Sequence, residues 1–118
     1  MIGVNDLLQG ETVDNIVNNY QLILQEIKQK NPQTQVFVQS SLPLNKNFTD
    51  PAINSKVIEL NAKLKNLSKK NSVQYIDLFP SFLGENNQLD SRYTTDGLHL
   101  NGQGYLLWKT IIEKEVVK

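Results

Sequence analysis

No cysteine occurs anywhere in the 118 residues. Disulfides, zinc thiolates and a cysteine nucleophile are therefore excluded, while the compartment is left open. Charge of one sign is also lacking: Lys and Arg total 12, and Asp and Glu total 12. A net charge of zero gives no electrostatic attraction to nucleic acid or to an anionic membrane. Lys69-Lys70 is the one notable basic pair, and it falls at a predicted helix end, where cations complement the dipole. No apolar run of transmembrane length is present. What remains is a globular composition, 39% apolar, with enough length for one core and not for two.

Histidine occurs once, as His99. It lies in Thr94-Thr95-Asp96-Gly97-Leu98-His99-Leu100-Asn101-Gly102-Gln103-Gly104-Tyr105. Asp96 stands three residues before the imidazole, across a glycine turn. A carboxylate held near a histidine fixes its tautomer and stabilises the imidazolium, as a general base for a hydroxyl nucleophile requires. Asp96-Gly97 is equally an ordinary turn dipeptide. The second anchor is the other end of the chain, Met1-Ile2-Gly3-Val4-Asn5-Asp6.

Between these anchors, helical and strand patterns alternate. Met1 to Val4 reads as the tail of a buried strand, with Asn5-Asp6 in the loop after it. Thr12 can cap a helix whose apolar residues run Val13, Ile16, Val17, Tyr20, Ile23, Leu24 and Ile27, stopped at Asn31-Pro32. Val36-Phe37-Val38 reads as a second buried strand. Asp50-Pro51 starts a helix with the stripe Ile53, Val57, Leu60, Leu64 and Leu67. Asn61 lies beside that stripe and needs a polar partner if buried. Val73 to Leu78 is a third strand, followed by a polar loop from Ser81 to Thr95. The last helix starts near Asn101 or Gly102, with Tyr105, Trp108, Ile111, Ile112 and Val116 as its inner face. The order β-α-β-α-β-α with continuously apolar strands predicts an α/β fold, a parallel sheet with helices on both faces.

In such a sheet, sites form outside the carboxyl ends of the strands. Asn5-Asp6, Ser40-Ser41 and the segment from Asp77 to His99 all leave those ends. His99 is then a plausible general base oriented by Asp96, and Asn5 a side-chain donor for a developing oxyanion. The nucleophile is lacking. Ser40 and Ser41 lie at the right edge, but neither belongs to a Gly-x-Ser-x-Gly elbow.

Gly3-Val4-Asn5-Asp6 resembles the Gly-x-Asn-Asp block of the SGNH, or GDSL, hydrolase superfamily, and Asp96-Gly97-Leu98-His99 resembles its Asp-x-x-His block. Leu100 to Tyr105, Ser41-Leu42-Pro43 and Val73 to Leu78 are also similar to that family. The resemblance covers essentially the whole chain. It implies an ester hydrolase with a flavodoxin-like three-layer α/β/α sandwich, acting on a small acyl ester through a Ser-His-Asp triad. His99 and Asp96 would be two triad members and Asn5 an oxyanion-hole donor, with no metal or organic cofactor.

The family's serine sits in a Gly-Asp-Ser block that precedes Gly-x-Asn-Asp, and no Gly-Asp-Ser occurs here. The expectation is therefore one N-terminally incomplete domain over residues 1–118, keeping strands three to five of the family order. Its open sheet edge would favour self-association or pairing with the missing N-terminal segment. Two further readings stand beside the esterase: a catalytically inactive, self-associating module of the same fold, and a magnesium-type site on Asp6, Asp77, Asp96 and His99.

Overall fold

Residues 3–116 are described by a computed structural model. The chain runs through α1 (Val4–Leu8), α2 (Val13–Lys30), β1 (Phe37–Gln39), α3 (Asn54–Lys70), β2 (Gln74–Ile76), α4 (Phe79–Phe82) and α5 (Gly102–Val116). Single 3-10 turns occupy Pro51–Ile53, Glu85–Asn87 and Ser91–Tyr93. The caps predicted from sequence are present. The Thr12 side chain accepts from the Asn15 amide at 3.1 Å, and Asp50 accepts from the Ala52 amide at 2.9 Å. Asp50-Pro51 does start the helical segment, but its first turn is 3-10 and only then becomes α3.

Strands β1 and β2 pair in parallel, with Phe37 opposite Gln74, Val38 opposite Tyr75 and Gln39 opposite Ile76. Alternation along each strand sends residues to two faces. Val38 and Tyr75 join the core built by α2 and α3, whose buried members include Ile16, Leu24, Val57, Leu60 and Leu64. Ile76 and Phe37 join a second core with Leu78, Phe82, Leu89 and the half-buried Trp108, Ile111 and Ile112 of α5. The result is α2 and α3, then sheet, then α5: the three-layer α/β/α arrangement that the resemblance implies.

Three expectations need correction. The first strand falls partly on Met1 and Ile2, outside the described residues, while Val4 opens α1 instead of closing a strand. The Leu7 amide donates to the Gly3 carbonyl at 2.9 Å. That turn delivers Leu7 into the α2–α3 core, where it is 5% exposed. Second, the strands are not uniformly apolar. Gln39 and Gln74 face α5, where Gln39 Oε1 accepts from Trp108 Nε1 at 2.9 Å and Gln74 Nε2 donates to Glu115 at 2.7 Å. Third, Tyr105 and Val116 do not belong to the inner face of α5, being 55% and 41% exposed.

The polar loop from Ser81 to Thr95 is ordered by its own contacts. Leu83 and Leu89 form an antiparallel bridge, Phe82 and Leu89 are buried, and the Asp90 carboxylate caps the turn at Ser91–Tyr93. Among the described residues, no helix is long and apolar enough to cross a membrane.

Candidate active site

Asp96 and His99 are brought together by one tight turn. Gly97 has φ +89°, and a Cβ there would stand 2.5 Å from Asn45 Oδ1 and 2.8 Å from the Phe48 nitrogen. Only glycine fits both the left-handed backbone and the close approach. The turn lets one carboxylate make three bonds. Asp96 Oδ1 accepts from the Leu98 and His99 amides at 2.8 and 2.7 Å. Asp96 Oδ2 lies 2.7 Å from His99 Nδ1. The hydrogen bond from His99, followed by those two amides, holds the Asp96 carboxyl well below the usual carboxylate range. An ionised carboxylate has no proton to give, so Nδ1 is the donor. Neutral His99 then carries its proton on Nδ1 and keeps the Nε2 lone pair free.

Sequence reasoning missed the residue that braces this turn. Thr94 is 6% exposed. Its hydroxyl donates to the His99 carbonyl at 2.6 Å and accepts from the Gly97 amide at 3.0 Å. A Thr two residues before an Asp-Gly turn was the available signal. After the turn, Asn101 starts α5 by accepting from the Gly104 amide at 3.0 Å. Gly104 is buried, and it is glycine because a Cβ there would meet the Tyr93 carbonyl at 2.7 Å.

His99 lines a cleft of ≈ 400 Å³ together with Asn5, Asp6, Ser41, Leu98 and Tyr105. Residues 3–6 and the segment around His99, the two anchors of the sequence, do meet there. Asp96 does not line the cleft. Asp77 lies outside it as well, and among the described residues no group of three or more His, Cys, Asp or Glu is placed to hold a metal ion. A larger, more polar cleft of ≈ 630 Å³, between Asn45 and Arg92, contains none of Asn5, Asp96 or His99.

The far wall of the cleft is held by two asparagines of α3 seven positions apart. Asn61 accepts from the Ser41 amide at 2.7 Å and donates to its carbonyl at 2.9 Å. Asn54 does the same for Leu44, at 2.8 Å in each direction. The partner predicted for Asn61 is thus a backbone segment that no strand satisfies. The two candidate serines differ in kind. Ser40 is fully buried, and its hydroxyl accepts from the Leu78 and Phe79 amides at 2.8 and 3.0 Å, capping α4. Among the described residues, none hydrogen-bonds the Ser41 hydroxyl.

A family model for the GDSL-like lipase/acylhydrolase family matches residues 1–107. The chain belongs to that family. Its fold is similar to a Streptococcus pneumonia protein named for platelet activating factor, at 27% identity and TM-score 0.88, covering 98% of this chain and 56% of that one. It is also similar to a GDSL-like lipase from Bacteroides thetaiotaomicron, at 24% identity and TM-score 0.83, covering 96% of this chain and 58% of that one. An acetyl xylan esterase shares the fold at 19% identity and TM-score 0.76, covering 98% of this chain and 64% of that one. The chain therefore spans a little over half the length of the first of these structures. No curated protein matches it.

Proposed function

We propose that this GDSL-like chain supplies the acid–base half of a serine ester hydrolase. The observation that carries the reading is the 2.7 Å pair between His99 Nδ1 and Asp96 Oδ2 beside a cleft shared with Asn5. The attacking serine comes from a Gly-Asp-Ser segment outside these 118 residues, of the kind that precedes Gly-x-Asn-Asp in this family. His99 Nε2 takes the proton of that serine as its oxygen attacks the ester carbonyl. Asp96 stabilises the imidazolium, and the Asn5 amide donates to the oxyanion of the tetrahedral intermediate. Collapse breaks the bond to the alcohol oxygen, which leaves with the proton from Nε2. Water then repeats the cycle on the acyl-serine, releasing the acid. Leu42, Leu44, Leu98 and Leu100 give the cleft an apolar lining suited to a small acyl group.

The test is complementation. The chain is extended at its N-terminus with a strand and Gly-Asp-Ser segment taken from the S. pneumonia structure. Hydrolysis of p-nitrophenyl acetate is expected, and His99→Ala is expected to lower turnover by about four orders of magnitude or more. A folded, extended protein whose hydrolysis is absent or indifferent to His99→Ala would sink the reading.

A second reading, an inactive module that self-associates, is favoured by the apolar surface on α5, where Leu106 is 64% exposed. Light scattering distinguishes it: a monomer over a wide concentration range rules it out.

A further inference from the structure

We propose that Ser41 is a substrate-binding residue whose hydroxyl donates a hydrogen bond to the acyl oxygen of an ester, or of the carboxylic acid released from it, in the cleft beside His99. The inference rests on the ester hydrolase reading and adds a contact to it.

Four observations converge. Ser41 is 2% exposed, yet among the described residues none hydrogen-bonds its hydroxyl. Among the described residues, no wholly buried side-chain nitrogen or oxygen lacks a partner. The small accessible remnant of Ser41 therefore includes its hydroxyl oxygen, and the cleft that Ser41 lines is shared with Asn5 and His99. A hydroxyl nearly removed from water and left without a protein partner is expensive unless a ligand or water meets it.

The rest of Ser41 is already committed. Its amide and carbonyl are both held by Asn61, at 2.7 and 2.9 Å. The hydroxyl is the residue's one group left for a ligand, and it projects from a fixed backbone, which reduces the ordering cost of using it. Gly3 lies beside it: a Cβ there would stand 3.0 Å from Leu60 Cδ2, 3.5 Å from Ile16 Cγ2 and, at ordinary contact distance, 3.7 Å from Ser41 Oγ.

The neighbouring serine supplies the contrast. The Ser40 hydroxyl accepts from two amides at the start of α4 and is wholly buried, so it does not face the cleft. Nor does Ser41 have the setting of a nucleophile. It lies at a strand end, between buried Ser40 and Leu42, without the glycine-flanked elbow that thrusts a serine out of a sheet. Binding is the role that its position serves.

Butyrate, a simple carboxylate, is the probe. His99 is the one histidine, so its imidazole resonances report on the cleft without assignment ambiguity. Titration of the folded chain with butyrate is expected to move the His99 ring and Ser41 amide signals together. Ser41→Ala is expected to weaken butyrate about five- to ten-fold, the worth of one hydrogen bond. Ser41→Cys fills the site with a slightly larger group that donates only weakly, and covers the case in which the alanine variant is unstable. Unchanged affinity in both variants, with His99 still shifting, overturns the role of Ser41 and leaves the esterase reading standing. Butyrate that moves neither signal overturns both the contact and the view of this cleft as an acyl site. Covalent labelling of Ser41 by a fluorophosphonate would replace the binding role with a nucleophilic one.

Discussion

The two faces of the sheet are packed to different degrees. On one, α3 presents Val57, Leu60 and Leu64, all at 0% exposure. On the other, Gly104 is the only residue of α5 that is buried, while Leu106 and Tyr105 remain 64% and 55% exposed. Both helices have apolar stripes, so the stripe alone does not decide burial. Here α3 has α2 packed beside it, while among the described residues α5 packs against the sheet, Leu42, Leu78 and the segment from Phe82 to Leu100. The cleft inherits this difference. Its Ser41–Leu44 wall is clamped to α3, whereas its His99 and Tyr105 wall belongs to the turn and first turn of α5. Helices with few buried contacts open at lower free energy than core helices.

Substitutions test the contrast most strongly in the α3 core. Leu60→Ala is expected to cost about 2 to 5 kcal/mol, read by urea denaturation, and Ile112→Ala in α5 roughly half as much or less because Ile112 is only half-buried. Equal costs would show that the two faces are packed alike. Next comes Asn61→Ala, which strips both hydrogen bonds from the buried Ser41 backbone. A loss of about 2 to 4 kcal/mol is expected, together with faster amide exchange at Ser41. Gly97→Ala follows, at about 1 to 3 kcal/mol for the left-handed backbone. It should also disturb the His99 ring signal, since the turn sets the pair.

Acid stability probes the His99 wall. The folded Asp96 carboxyl titrates below its ordinary value of 3.8. A depressed carboxyl stabilises the fold above its unfolded pKa and loses that contribution as pH falls through the folded one. The wild type should therefore lose part of its stability on acidification below about pH 4, and Asp96→Asn should lose less over the same range. Identical acid profiles would mean that the exposed pair contributes nothing to folding. The smallest effect belongs to Leu106→Ala, within about 0.5 kcal/mol for an exposed site. A larger loss would mean that α5 is covered in solution.

Much of this was legible in the chain itself. The stripe of α3, the Thr12 and Asp50 caps and the approach of Asp96 to His99 follow from spacings of two to four residues, because helices and turns are closed by bonds of that reach. The need of Asn61 for a partner was also visible, as a polar residue beside an apolar stripe. The identity of that partner was not, nor were the brace from Thr94 and the switch of Val4 from strand to helix.

The sequence alone determined the local half of the site: a carboxylate and the single histidine across a glycine turn, at the start of a helix. Tertiary structure decided the other half. It set Asn5 and His99 on one cleft, buried the Ser40 hydroxyl against amides 38 and 39 residues away, and fastened Ser41 by its backbone to an asparagine 20 residues away. Such pairings depend on how α3 and the sheet close on each other. Two adjacent serines that look alike in the chain are therefore told apart only by what the fold leaves unbonded.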